Sequence, residues 1–322
     1  MSIVKFSSTK KENLAKNFEN LRIGNRNRIG PIEIYALHSA SVSSAHQVPH
    51  TSLSVGHATE FTEPRVNQIN VENQSDAPLF LPEGWMIEGL RQSRALCEDI
   101  LVPANATLRA AVVCIERGRW GNPRKSTMDS QRAPISVIAA MRSVPNIQTV
   151  DDLKLRQNRV WESVKRQESR TGKRPTNSLT QVLREDSRHS EIAGHFSQLS
   201  ELSQRSRSQS GVLVALNGQP FFAEIFQSPE LFTQNYISLL QSVAFDVVNG
   251  NREHTSKSAV DHFLSEVLNT PRTSERLHGA LQTFAGISRR SVDVRSSQIQ
   301  GDDKSFLHSL AINLNHKALQ LI

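Results

Sequence analysis

The chain has 322 residues, 37% of them hydrophobic, and carries 38 Lys or Arg against 31 Asp or Glu for a net charge of +7. That apolar share builds a core and excludes a wholly disordered chain, and no stretch approaches the ~20 consecutive apolar residues of a membrane span. Two cysteines exclude a disulfide scaffold and a four-cysteine zinc site, and Met1 to Asn20 carries charge without an apolar block. A soluble cytoplasmic protein is expected.

Residues 1–22 read as a polar tail. From 23 to 125 the pattern is β-like, with short apolar runs at Ile32–Leu37, Val66–Val71, Pro78–Leu81, Ile100–Val102 and Leu108–Ile115 between Gly, Pro, Asn and Asp signals. The last run is nearly continuous in apolar residues, as in a strand buried on both faces. Strands at this spacing suggest a sandwich or barrel. Residues 126–210 form a helical, basic segment and linker. Leu153, Val160, Trp161 and Val164 predict a helix over 152–170 that buries Trp161 and leaves Arg156, Lys165, Arg166 and Arg170 in water. A second helix is expected from Ser190, with Ile192, Phe196, Leu199 and Leu202 as its stripe, and 203–210 reads as linker.

In residues 211–322 the strand-like runs Val212–Leu216 and Gln219–Phe226 flank Asn217-Gly218, a dipeptide that tolerates the positive φ of a type I′ hairpin turn. Ser228-Pro229-Glu230 then opens a helix: a cap, a proline suited to the first helical position, and an acid at the positive dipole end. Phe232, Tyr236, Leu239, Leu240, Val243 and Val247 keep helical spacing, Asn249-Gly250 is expected to end that helix, and a further helix is expected near Ser258–Leu268, followed by a mixed tail. The fold class expected is α+β, with an N-terminal β-rich sandwich- or barrel-like half, a helical middle, and a C-terminal β-hairpin plus helices. Segments 23–125 and 211–322 are expected to form one integrated unit.

Among the eleven histidines, His46 and His50 have the spacing of two ligands on a helix face, but Pro49 breaks a helix there and no carboxylate or cysteine completes a set. No metal and no cofactor is expected. Cys114 reads as a small buried hydrophobe, and Cys97, beside Glu98 and Asp99, as a poor nucleophile. From Lys154 to Arg174 eight cations face two acids, with Trp161 the one aromatic. This favours weak phosphate contacts through Arg159, Lys165, Arg166 and Arg170 over base readout.

Two segments put a carboxylate, a glycine and an arginine together at a strand end: Glu83-Gly84 through Gly89-Leu90-Arg91-Gln92-Ser93-Arg94, and Cys114-Ile115-Glu116-Arg117-Gly118-Arg119-Trp120. Glycine permits tight bends, and arginine offers a fork for carboxylate or phosphate. The opposing account is an internal Glu–Arg pair.

These residues, with Val102-Pro103-Ala104, Gln157, Val160-Trp161, Gly211 to Asn217-Gly218 and Ser228-Pro229-Glu230-Leu231-Phe232, give a sequence that resembles the ARG- and rhodanese/phosphatase-superfamily-associated protein domain family. It departs from the family pattern at Trp85, Glu88 and Ser93. The resemblance names no reaction. It implies a bacterial-type cytoplasmic protein, and an association with ADP-ribosylglycohydrolases and phosphatase-like proteins, hence with ADP-ribose or nucleotide chemistry. The first function expected is therefore a phosphate-bearing nucleotide or ADP-ribose-like ligand bound or processed by Gln92, Arg94 and Arg119, with Glu116 as acid/base or ribose acceptor and Trp120 stacking. The alternatives are a non-catalytic interaction scaffold and a nucleic-acid-binding accessory using 154–174.

Overall fold

Asn217 and Gly218 stand at φ +50° and +79°, the positive angles that the hairpin turn demands. In the computed structural model this turn joins β11 (Gln209–Leu216) to β12 (Gln219–Phe226), paired in register from Leu216↔Gln219 to Gly211↔Ile225 across one bulge. The structure describes residues 21–38, 49–51, 56–127, 131–145, 147–171, 176–185, 208–247, 253–301 and 306–320. The expected helix from Ser190, the 172–175 loop and most of the 203–210 linker lie outside them; Gln209 and Ser210 are not linker but the buried start of β11.

The fold is mixed α+β, in two compact units. The first holds an antiparallel eight-stranded sheet in the order β1-β2-β11-β12-β16-β15-β14-β13. Its strands are β1 (Arg22–Ile29), β2 (Ile32–His38), the β11–β12 hairpin, β13 (Ser274–His278), β14 (Leu281–Ile287), β15 (Val292–Ile299) and β16 (Phe306–Asn313). The C-terminal segment is thus a four-stranded meander, followed by a short helix, Lys317–Gln320, where the sequence suggested a mixed tail. Helix Lys257–Asn269 is capped by the Ser256 hydroxyl, which accepts from the Ala259 N–H at 3.2 Å. It lays Val260, Phe263, Leu264 and Val267 on a core with Leu37, Leu213, Ile225 and Val294. His316 is buried against Phe221, with its Nε2 3.2 Å from the Leu216 carbonyl. Helix Pro229–Ala244 begins as the sequence predicts, the Ser228 hydroxyl accepting from the Leu231 N–H at 3.2 Å, but it ends before the expected Val247, where the Asp246 N–H closes a tighter turn on the Val243 carbonyl at 2.9 Å; its residues to Tyr236 belong to this unit and those from Ile237 to the other.

The second unit is built on a six-stranded sheet, β10-β6-β7-β9-β4-β3. These are β3 (Gly56–Thr59), β4 (Gln68–Asn73), β6 (Met86–Leu90), β7 (Arg94–Leu96), β9 (Ala106–Cys114) and β10 (Arg124–Thr127); β5 (Leu79–Leu81) and β8 (Ile100–Val102) pair separately. The two edges meet: the Ser126 hydroxyl accepts from the Ala58 N–H at 3.1 Å and donates to its carbonyl at 2.7 Å, so the sheet nearly closes into a barrel. Strand β10 comes from the polar stretch after Gly121-Asn122-Pro123, which periodicity alone marks as loop.

Three helices belong to this unit: α1 (Ile135–Arg142), α2 (Val150–Thr171) and α3 (Leu179–Glu185). Thr149 and Asp152 form a reciprocal cap at the start of α2, the Asp152 carboxylate accepting from the Gln148 and Thr149 N–H groups and the Thr149 hydroxyl from the Asp152 N–H. These bonds hold the exposed Asp152 carboxyl below its usual range. The inward face of α2 carries Arg156, Val160, Ser163, Val164, Gln167 and Glu168. Arg156 corrects the sequence reading: it is buried, one turn before Val160 on the same face, and its guanidinium donates to the Val144 carbonyl at 3.0 Å. Trp161 is half-buried, with the Arg117 guanidinium 5.1 Å over its ring.

Candidate functional site

The last two residues of β6, Gly89 and Leu90, stand at φ +88° and +49°. A Cβ at position 89 would sit 2.3 Å from the Lys125 carbonyl oxygen, so the approach of β10 requires glycine there. This double left-handed turn aims the Gly89 and Leu90 carbonyls at Arg119, whose Nη2 and Nη1 donate to them at 2.9 Å each. The same guanidinium grips Glu116 through Nε and Nη2, both at 2.7 Å. Gly118, at φ +90°, supplies the bend that folds Arg119 back onto Glu116. The second Glu116 oxygen also accepts from the Ser93 N–H at 3.0 Å and hydroxyl at 2.9 Å. Burial pushes the Glu116 carboxyl up, but the bonds from Arg119 and Ser93 pull it further down, to a net value below the usual carboxylate range. The two motifs therefore latch onto each other.

Arg94, opposite Cys114 in the β7–β9 ladder, is wholly buried behind this latch. Its Nη1 donates to the Gln92 backbone carbonyl at 3.0 Å and side-chain oxygen at 3.4 Å, while Nε and Nη2 meet no acceptor. Trp120 covers it, with the guanidinium carbon 5.6 Å from the ring centroid, and is itself 45% exposed. Burial lowers the Arg94 pKa, against the opposing pull of Cys114, Glu60 and Glu116. Cys114 is buried and its thiol is pushed up by desolvation; Cys97 is pushed up to about 11 for the same reason. Both stay protonated at neutral pH, as the sequence reading of two inert cysteines expects.

Gln92, Arg94, Glu116, Arg119 and Trp120 thus lie in one cluster. Sequence reasoning missed Glu60, just after β3, whose Oε1 accepts from the Arg91 N–H at 2.9 Å and whose Oε2 lies 3.2 Å from Arg91 Nε. No short-range pattern links position 60 to position 91. Beside it a solvent-open cavity of about 610 Å³ lies at the seam where β3 meets β10. Its charged lining is Arg91, Arg124 and Lys125 against Glu60 and Glu72, and His57 and Phe61 supply its aromatic rings.

Glu83, the start of the first motif, pairs with a residue outside this cluster. Its carboxylate is buried and accepts from Arg142 Nε at 3.0 Å and Nη2 at 2.7 Å, a structural ion pair. On α2, Arg159 is exposed and 3.5 Å from Glu162, Lys165 is exposed, and Arg166 is half-buried, which lowers its pKa; of the Arg170 side chain nothing is described. Among the described residues no group of three or more His, Cys, Asp or Glu is placed to hold a metal, and no helix is long and apolar enough to cross a membrane. His50 Nε2 lies within hydrogen-bond distance of the Ser75 hydroxyl, at 2.7 Å, and His46 is outside the described residues.

The family model of the ARG and Rhodanese-Phosphatase-superfamily-associated Protein domain fits residues 20–312. No curated protein and no solved structure matches the chain.

Proposed function

The chain belongs to the ARG and Rhodanese-Phosphatase-superfamily-associated Protein domain family, and from that premise we propose that its second unit binds a phosphate-bearing nucleotide or ADP-ribose-like molecule in the cytoplasm. The observation that carries this reading is the seam cavity, where three cations line a space of about 610 Å³ against two carboxylates, one of them already engaged by Arg91. Arginine forks and a lysine point charge suit phosphate oxygens. The phosphate role moves from Arg119 to Arg91, Arg124 and Lys125, because the donors of Arg119 are spent on Glu116 and two carbonyls. Trp120, 45% exposed and with the Arg94 guanidinium 5.6 Å from its ring centroid, would offer a base a surface to stack on. Glu116 remains ionised at neutral pH, which supports a positioning role for it and binding as the function of the site.

The test is calorimetric titration of the wild type and an Arg124→Ala/Lys125→Ala variant with pyrophosphate, ADP-ribose and ATP. Both side chains are exposed, so the variant should fold normally. Binding by the wild type and a loss of at least about tenfold in the variant are expected, since each phosphate contact of this type is worth on the order of 1.5–3 kcal/mol. No binding by the wild type at millimolar ligand, or unchanged binding by the variant, overturns the proposal.

A further inference from the structure

Arg119 and Arg142 each turn the same guanidinium edge, Nε with Nη2, on a carboxylate. That edge presents two parallel N–H groups and fits a planar or tetrahedral oxyanion bidentately. Arg94 is more deeply buried than Arg119, yet its Nε and Nη2 are the two donors without an acceptor. A buried cation in this state lacks the pairing that normally offsets its desolvation. The carboxylate in contact with it is Glu60, whose Oε1 stands 3.9 Å from Nη2, beyond hydrogen-bond reach. Glu60 is held off by Arg91, through the backbone N–H at 2.9 Å and the side chain at 3.2 Å. Its side chain is only 8% exposed, and it also lines the seam cavity. One carboxylate thus stands between the cavity and a guanidinium edge that it does not satisfy.

We infer that Glu60 is a resident stand-in anion, which an entering ligand's oxyanion displaces, taking over both Arg91 and the free edge of Arg94. The inference rests on the proposed phosphate site and adds to it the subsite where one oxyanion is bound and the side chain that competes for that place. A phosphoryl or pyrophosphoryl group gains two arginines at once, and Glu60 swings toward the open cavity and water. Binding is then weaker than the two arginines alone would allow, because the ligand must first replace an internal carboxylate. Small neutral sugars gain nothing from the exchange. The site selects for charge.

Pyrophosphate titration of the wild type and of Glu60→Gln, Glu72→Gln and Arg94→Lys variants tests this. Glu60→Gln keeps an oxygen for the Arg91 N–H and removes the competing charge, so its affinity should rise at least tenfold over the wild type. Glu72 lines the same cavity and accepts from the Gln74 side chain at 3.2 Å; Glu72→Gln removes an equal charge without freeing either arginine, so any gain it gives should be at least threefold smaller than that of Glu60→Gln. Arg94→Lys keeps the charge but lacks the bidentate edge, and should weaken binding at least tenfold; it decides the matter even if Glu60→Gln does not fold. Equal gains in Glu60→Gln and Glu72→Gln would reduce the effect to bulk electrostatics and overturn the inference. So would unchanged affinity in Arg94→Lys. If the wild type binds and Glu60→Gln binds no tighter, the displacement fails while the phosphate site stands. If neither the wild type nor Glu60→Gln binds, both fail; if Glu60→Gln alone binds, displacement stands and the proposed function of the unaltered protein falls.

Discussion

Replacing Arg119 by Gln removes both bonds to Glu116 and the donors to the Gly89 and Leu90 carbonyls, all at 2.7–2.9 Å. A glutamine cannot span these partners, so Glu116 keeps only Ser93, and two carbonyls in a left-handed turn lose their donors. Breaking a fully buried pair costs about 3–5 kcal/mol. Glu116 and Arg119 retain 16% and 20% exposure, which lets water recover part of that, so the expected loss is about 3 kcal/mol. Urea denaturation followed by far-UV circular dichroism reads this as a lower midpoint at unchanged slope. Arg119→Lys should recover less than half of the loss, since an ammonium cannot serve four acceptors in one plane. The pH dependence fixes the cause. Glu116 has a folded pKa below its ordinary 4.5, so its pairing contributes stability in full above about that pH and loses it as acid protonates the carboxyl through the lower folded value. The gap between wild type and Arg119→Gln should therefore be largest near neutrality and narrow below pH 4.5. A loss under about 1 kcal/mol, or a gap that does not shrink in acid, would refute the latch.

Gly89→Ala should cost at least about 2 kcal/mol, because it adds a Cβ 2.3 Å from the Lys125 carbonyl at a positive φ; a melt within 1 °C of the wild type would contradict the β6–β10 geometry. Burial lowers the His316 pKa from 6.5 to about 4, so the folded state takes up its proton later than the unfolded one, and stability falls as pH drops from 6.5 toward 4. That component reaches about 3 kcal/mol at its full extent, and His316→Gln should flatten the stability profile over this window in denaturation curves taken at successive pH values. Oligonucleotide binding through α2 is expected to be weak and to disappear between about 50 and 200 mM salt, as fluorescence anisotropy would show; tight, sequence-selective, salt-insensitive binding would contradict it.

Periodicity located the elements whose burial is apolar and local. Ile32–Leu37, Ile100–Val102, the Asn217-Gly218 hairpin and the capped helix at Ser228-Pro229 all lie where the sequence put them. It was silent where pairing is long-range or the buried face is polar. Five of the eight residues of strand β1 are arginine or asparagine, and it exists because β2 pairs with it. Strand β10 depends on Gly89 and on Ser126 reaching Ala58. Arg156, Gln167 and Glu168 face inward on α2 because each finds a partner there, which no hydropathy stripe records. The site was half legible. Both motifs named Arg94, Glu116 and Arg119, since glycine and paired charge leave a local mark. Glu60 belongs to the cluster only through tertiary contact.

Strand β9 runs beyond its neighbour β4, whose last ladder partner is Ala111, so the backbone at Cys114 would present bare donors and acceptors on that side. Gln157 fills the place: its side-chain oxygen accepts from the Cys114 N–H at 2.8 Å and its amide donates to the Cys114 carbonyl at 2.8 Å. A helix side chain acts as a surrogate strand of one residue. The protection arrives late, since Gln157 lies 43 residues downstream and leaves the ribosome after the strand it guards. Without Gln157 the Cys114 N–H and carbonyl would lose these partners, and an uncovered strand end of this kind can pair with another chain. Chains truncated between Cys114 and Gln157 should on this account aggregate through that edge.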